Sequence, residues 1–313
     1  MRKIQGLFIL IFLFLLTGCS QVSETNDKAI YESFEQPITK VEEVFSLGLY
    51  DGQDFEYDRT FEVANDVFRK DLVLGNKTSE KGSFVLVIFN HGKQLEFQVG
   101  NEITSKYSFD IEPDDYHKMD ISLLDIEDGF HSITYMLFDD PETFPQDYEV
   151  SMDLSNIFSL RVNLFKNINA IPDERPKLVT DAIKSDTRSI HGVLLSDKKE
   201  KYNVVFNEQL RKNQTVPFTL NYGNGNSDAM DFYLVSLLNF EQVPINDAPY
   251  LYDALDSEEE KALSFDISSH SLTQEKNAYQ FIMIPTPFKA LTDEDPFLLQ
   301  DPLASNRATL IRE

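Results

Sequence analysis

The chain has 313 residues, 53 acidic against 28 basic, and a net charge of −25 at neutral pH. Such an acidic surface repels nucleic acid, so nucleic acid is excluded as a partner. Cys19 is the single cysteine, so no intramolecular disulfide can form and packing must hold the fold together.

The N-terminus carries a targeting pattern. A basic pair, Arg2-Lys3, precedes an apolar run from Leu7 to Leu16, which is too short for a membrane span of roughly 20 residues and fits a signal-peptide core. Leu16-Thr17-Gly18-Cys19 forms a lipobox, and the whole segment resembles a bacterial lipoprotein signal peptide. The resemblance implies removal of residues 1–18 and attachment of a diacylglyceryl group to Cys19. Two acyl chains are enough for stable anchoring, so we expect the acylated Cys19 to insert into the lipid bilayer. The chain would then lie on the outer face of the cell membrane.

The mature chain begins with a polar stretch, residues 19–42, which predicts a tether. Beyond it, apolar residues recur with period two, which predicts strands. The run from Phe84 to Phe89 indicates a strand buried on both sides, and Asn90-His91-Gly92-Lys93 predicts a turn into a hairpin partner at Leu95 to Val99. A second hairpin is predicted around Asp128-Gly129, between Ile121 and Leu137.

Internal repetition predicts two copies of one fold. Ile133, Tyr135, Leu137, Pro141, Arg161 and Leu164 match Tyr279, Phe281, Met283, Pro287, Arg307 and Leu310 at a constant offset of 146. Phe84-Val85-Leu86 also matches Phe218-Thr219-Leu220, and Ser108-Phe109-Asp110-Ile111 recurs as residues 264–267. The changing offset predicts an insertion in the second copy, in a loop between Val243 and Ala262.

We therefore expect an all-β chain of two tandem β-sandwich domains, residues 43–167 and 187–313, with a barrel as the alternative. The linker, residues 168–186, is expected to hold one short helix between Leu178 and Ile183. The segment Asp125 to His131, running into a strand that ends at Pro141, is similar to immunoglobulin-like modules of bacterial surface proteins. That resemblance implies an immunoglobulin-like fold.

Two acidic clusters are candidate calcium sites, because calcium takes oxygen ligands from flexible loops. The first is Asp51, Asp54, Glu56 and Asp58; the alternative is an edge strand with a charged outer face, because Asp54, Glu56 and Asp58 alternate with Phe55 and Tyr57. The second runs from Asp253 to Glu260, where a short helix start is the alternative. The five histidines lack the spacing of a metal pair, so zinc is not expected. The sequence has no phosphate loop or dinucleotide-binding fingerprint, so no other cofactor is expected either.

The aromatic residues suggest a contact surface. Tyr250 and Tyr252 lie in the supposed insertion and are predicted to form an exposed pair for a partner, the alternative being a lid folded onto the sandwich. The tail from Asp293 to Arg307 offers a similar choice between a packed crossover and a docking segment.

These patterns contain no recognisable set of nucleophile, base and orienting group. The expected function is a membrane-anchored extracellular lipoprotein, non-enzymatic, that binds or positions another envelope component, most simply a protein. The alternative is a calcium-dependent adhesin or carbohydrate-binding surface protein.

Overall fold

The computed structural model describes residues 43–179, 181–184, 190–197, 202–291 and 301–313. The predicted signal peptide, Cys19 and the tether lie outside the described residues. Within those ranges the chain is all-β with one short helix, α1 (Tyr148–Asp153), and has no helix that is long and apolar enough to cross a membrane. The predicted all-β class is confirmed.

Two sheets form the first β-sandwich. Its strands are β1 (Phe45–Asp51), β2 (Asp54–Phe55), β3 (Thr60–Glu62), β4 (Phe68–Asn76), β5 (Gly82–Asn90), β6 (Lys93–Gln94), β7 (Phe97–Val99), β8 (Glu102–Thr104), β9 (Lys106–Ile111), β10 (Tyr116–Leu123), β11 (Gly129–Asp139) and β12 (Ile157–Lys166). Sheet 1 has the order β2-β1-β4-β10-β7-β8. Sheet 2 has the order β3-β12-β11-β5-β6, with β9 also paired to β5.

The second β-sandwich repeats this plan. Its strands are β13 (Ile183–Lys184), β14 (Gly192–Asp197), β15 (Asn207–Leu210), β16 (Thr215–Gly223), β17 (Met230–Leu238), β18 (Glu241–Val243), β19 (Leu251–Leu255), β20 (Glu260–Ser268), β21 (Lys276–Pro285), β22 (Leu303–Ala304) and β23 (Ala308–Arg312). Sheet 3 has the order β13-β20-β16-β14. Sheet 4 has the order β15-β23-β21-β17-β18, with β19 on β17 and β22 on β21.

The strand order is that of an immunoglobulin-like sandwich. In the first copy, sheet 1 carries the first, second and fifth main strands (β1, β4 and β10), and sheet 2 carries the third, sixth and seventh (β5, β11 and β12). In the second copy, the same positions are held by β14, β16 and β20 in sheet 3, and by β17, β21 and β23 in sheet 4. A short strand pairs in parallel with the last strand in both copies, β3 with β12 and β15 with β23. The two tandem immunoglobulin-like sandwiches are thus confirmed, without the cysteine pair of antibody domains.

Only part of the predicted repeat is correct. The offset of 146 matches β11 with β21: Ile133, Tyr135 and Leu137 enter the first core, as Tyr279, Phe281 and Met283 enter the second. The other two matches are wrong, because Phe84 lies on the third main strand (β5) and Phe218 on the second (β16), while Ser108 and Ser264 lie on β9 and β20. Short alternating motifs recur in any half-buried strand, so they do not fix equivalence.

The predicted turns have mixed outcomes. The turn at residues 90–93 is confirmed, since Asn90 pairs with Lys93, but the returning strand ends at Gln94 and the chain then crosses to sheet 1 as β7. The second hairpin is wrong, because β10 and β11 belong to different sheets. The linker helix is also wrong: Ile183 and Lys184 form β13 on the edge of sheet 3.

Candidate functional site: the junction of the two sandwiches

Two carboxylates of the first acidic cluster, Asp51 and Glu56, pair with a lysine. Lys70 from β4 donates to Asp51 at 2.9 Å and to Glu56 at 2.7 Å, and its side chain is largely buried. The hydrogen bond from this ammonium holds the pKa of Asp51 below its ordinary value. The ion pairs of Lys70 are with Asp51 and Glu56, and do not include Asp54 or Asp58. Asp54 lies on β2, which is the edge strand of sheet 1.

The second acidic cluster is divided among separate partners. Asp253 is fully buried and accepts from the Tyr222 hydroxyl at 2.8 Å and from Lys261 at 2.8 Å. Glu260, also buried, accepts from the Tyr202 hydroxyl at 2.8 Å. Across the described ranges, no group of three or more His, Cys, Asp or Glu side chains is arranged to hold a metal ion.

The prediction that Tyr250 and Tyr252 form an exposed pair is wrong. The supposed insertion holds β19, which pairs with β17 and places Tyr252 opposite Tyr233. Tyr252 is buried and Tyr250 is half-buried, and both belong to an apolar core between the two sandwiches. The physical reason is that the neighbouring sandwich covers this face.

A continuous apolar core joins sheet 2 to sheet 4. Alternate residues of β5 and β11 point away from the first core, and meet the outward faces of β17 and β21. The buried side chains of this junction core are Val85, Val87, Phe89, Met136, Phe138, Tyr233, Val235, Leu237, Phe240, Tyr252, Ile282 and Ile284. The run Phe84 to Phe89 is therefore buried on both sides, as its composition predicts.

Two glutamines connect the sandwiches with reciprocal hydrogen bonds. The Gln94 backbone N–H donates to Gln242 Oε1 at 2.8 Å, and the Gln242 backbone N–H donates to Gln94 Oε1 at 2.6 Å. Each side chain also donates across the junction, Gln94 to the Phe240 carbonyl and Gln242 to the Gly92 carbonyl. Glycine at position 92 lets the two sandwiches approach closely, because a Cβ there would lie 2.6 Å from the Tyr233 ring and force it to shift.

Two buried arginines repeat this reciprocity. Arg161 on β12 donates to the carbonyls of Pro285 at 2.5 Å and Thr286 at 3.1 Å. Arg307 donates to the carbonyls of Asp139 at 3.0 Å and Asp140 at 2.7 Å. The two arginines are 146 residues apart, and so are the carbonyls that they bind, Asp139 with Pro285 and Asp140 with Thr286. The contact therefore has an approximate twofold symmetry. Burial lowers the pKa of each arginine to about 10, which leaves both charged at neutral pH.

An aromatic cluster lies where the Arg161 end of the junction approaches the surface. His91, in the turn after β5, stacks on Phe288 with ring centroids 5.1 Å apart, and Phe288 also contacts Tyr233 and Tyr252. Burial lowers the pKa of His91 to about 4, so its imidazole is neutral at physiological pH. The second sandwich covers His91 through Tyr233 and Phe288.

A groove of about 310 Å³ opens beside this cluster. Its walls are Arg175, Asn226, Asp228, Ala229, Met230, Asp231, Thr286, Phe288 and Lys289. The Tyr252 hydroxyl donates to Asp231 Oδ2 at 2.6 Å, and burial together with this bond raises the pKa of Tyr252. Thr286 has a φ of 47°, a strained value for a β-branched residue.

Arg175 brings the linker to this groove. Its guanidinium carbon lies 4.4 Å from the centre of the Phe288 ring, within the range of a cation–π contact. The sequence pattern does not predict this arrangement, since residues 175, 231 and 288 are far apart in the chain. The one local signal is Thr286-Pro287-Phe288, an aromatic residue just after a strand end.

The lipid-attachment residue Cys19 and residues 293–300 of the C-terminal tail lie outside the described residues. The described part of that tail is packed, with Leu303 and Ala304 paired to β21 and Arg307 buried.

No family model matches the chain. No curated protein matches it either. Among solved structures it is similar to a red sea bream transglutaminase, with 11% identity and a TM-score of 0.24 over 86% of this chain and 31% of that one. It is also similar to PapD-like domain 7 of human CEP192, with 14% identity and a TM-score of 0.24 over 43% of this chain and 92% of that one. The chain thus spans less than a third of the transglutaminase's length.

Proposed function

We propose that this protein is a lipid-anchored, non-enzymatic binding protein on the outer face of the cell membrane, where it binds or positions another component of the envelope. The lipobox ending at Cys19 supports the location. The observation that carries the binding role is the groove beside Phe288, which is formed by the second sandwich together with the linker and backed by the first sandwich.

The groove has the composition of a recognition site. It combines an aromatic ring, two carboxylates and two cationic side chains, so it offers both apolar area and directional polar contacts. The buried junction core behind it fixes the positions of His91 and Phe288 before any partner arrives. Such pre-organisation lowers the entropy cost of binding.

Lipid attachment is tested by replacing Cys19 with alanine in the full chain. We expect labelled palmitate to be incorporated and the protein to sediment with membranes in the unmodified chain, and both to be lost in Cys19→Ala. A Cys19→Ala protein that stays with the membrane fraction would contradict the proposed anchor.

The binding role is tested by crosslinking and affinity capture from intact cells, with the anchor kept. Asp231→Asn removes one groove carboxylate with little change of shape, and Asp247→Asn removes one from an exposed loop position as the matched control. Loss of a stoichiometric protein in Asp231→Asn alone would support the groove as the binding surface. Equal capture by both variants would exclude it.

A further inference from the structure

The clearest unassigned feature of the groove is the arginine that already lies in it. The side chain of Arg175 is exposed and comes from a linker rather than from either sandwich, yet its guanidinium is placed 4.4 Å from the Phe288 ring centre. It also donates to the carbonyls of Pro172 and Glu174 in its own turn. The turn therefore holds one guanidinium over one aromatic ring.

The surroundings of this ring suit a cation. Asp228 and Asp231 line the same groove, and Asp231 is fixed by the hydrogen bond from Tyr252. Phe288 is itself held by stacking against His91. An aromatic face with neighbouring carboxylates is the arrangement that recognises guanidinium and ammonium groups.

The charge of the whole chain favours the same kind of ligand. With a net charge of −25, the protein attracts basic partners and repels acidic ones. Lys289 at the groove wall offsets part of this field locally, so the carboxylates and the ring must supply the specificity.

We infer that the groove binds an arginine or lysine side chain from a basic segment of a partner protein, and that Arg175 occupies this position in the free protein. The inference rests on the proposed binding function and specifies its ligand. Arg175 acts as an internal competitor, since a ligand cation must displace it from Phe288. The ligand can bind only while Arg175 has left the ring, so the apparent Kd equals the intrinsic Kd divided by the fraction of molecules whose site is open.

The test uses the mature, lipid-anchored chain in detergent and two peptides, acetyl-Gly-Arg-Gly-amide and its citrulline counterpart. Citrulline keeps the shape of arginine and lacks its charge. Calorimetric titration is expected to show that Arg175→Ala binds the arginine peptide about fivefold more tightly than the unmodified chain, the factor for removing a surface cation–π contact. The citrulline peptide is expected not to bind.

Two controls separate this effect from general charge. Arg211→Ala removes the same charge at a position whose side chain is 85% exposed, and it should bind as the unmodified chain does. Phe288→Leu in the Arg175→Ala background should abolish peptide binding, while thermal melting confirms that the variant is folded. Equal affinities in Arg175→Ala and Arg211→Ala, equal binding of both peptides, or binding that survives Phe288→Leu would each overturn the inference.

The two proposals fail in different ways. Anchored capture that depends on Asp231, together with no preference for the arginine peptide, would leave the binding function and remove the cation site. Arginine-specific peptide binding without capture of any envelope component would support the cation site and remove the proposed function.

Discussion

Phe138→Ala tests whether the two sandwiches stabilise each other. Phe138 is fully buried in the junction core, and its ring centroid lies 5.4 Å from that of Phe240 in the other sandwich. Truncating a buried phenylalanine costs about 3–5 kcal/mol, because transfer energy is lost and a cavity remains. Since this contact crosses the junction, the loss should reach the second sandwich.

Hydrogen exchange of backbone amides measures this transfer. We expect Phe138→Ala to lower the opening free energy of amides in β17 and β21 by about 3 kcal/mol. Leu137→Ala is the matched control, because Leu137 is the adjacent residue of β11 and points into the first core. It should lower protection in the first sandwich and leave β17 and β21 unchanged.

Adding volume at the junction gives a second arm of the same test. A Cβ at residue 92 would lie 2.6 Å from Tyr233 and 2.8 Å from Tyr250, so Gly92→Ala should cost about 1–3 kcal/mol by overpacking. Unchanged protection of β17 and β21 in both Phe138→Ala and Gly92→Ala would refute the view that the junction couples the sandwiches.

Three further predictions concern individual contacts. Gln94→Ala and Gln242→Ala should each cost about 1–3 kcal/mol, and urea denaturation of the double variant should reveal a coupling of roughly 1 kcal/mol; strict additivity would contradict the reciprocal bonds. Because burial lowers the pKa of His91 to about 4, the folded state binds fewer protons than the unfolded state below pH 6.5. The free energy of unfolding should therefore fall by up to about 3 kcal/mol between pH 6.5 and 4. Acid denaturation of His91→Asn should lack this part of the fall. Lys70→Met should raise the pKa of Asp51 toward its ordinary value in carboxylate NMR titrations, and millimolar calcium should leave the melting midpoint of the unmodified chain unchanged, so a clear rise would restore the calcium alternative.

The sequence predicts the layers of this fold better than their connections. Period-two alternation identifies β11 and β21 correctly, and the continuous apolar run at Phe84 to Phe89 indicates a strand covered on both faces. The pattern cannot say what covers the second face. That cover is the other sandwich, more than 140 residues away in the chain, so the junction is invisible to local periodicity.

The side-chain partners of the candidate site residues are equally invisible to local pattern. Asp51 and Glu56 suggest a cation site by their oxygen ligands, and the ammonium group that lies between them, Lys70, comes from another strand. Tyr252 is predicted to be exposed because its segment looks like an inserted loop, whereas the fold pairs that segment with β17. Composition fixes neither the partner strand nor the neighbouring domain.

The symmetry of the junction separates structural residues from residues of the groove. Gln94 and Gln242, and likewise Arg161 and Arg307, are equivalent pairs that make equivalent bonds, so their chemistry is explained by pairing of the two copies. The groove breaks that equivalence. By the registers that match β5 with β17 and β11 with β21, the counterparts of Asp231, Tyr252 and Phe288 in the first copy are Ser83, Ser108 and Glu142.

Pairing alone therefore does not require a carboxylate, a buried phenol and an aromatic ring at this end of the junction. The backbone contact beneath them is the same in both copies: the Thr286 N–H donates to the Asp231 carbonyl at 2.7 Å, as the Asp140 N–H donates to the Ser83 carbonyl at 2.9 Å. The scaffold is thus kept at both ends while the side chains differ. Because the first copy maintains the same backbone contact with serines and a glutamate, the pairing of the two copies does not account for the aromatic and acidic character of the groove, which is consistent with the recognition role proposed above.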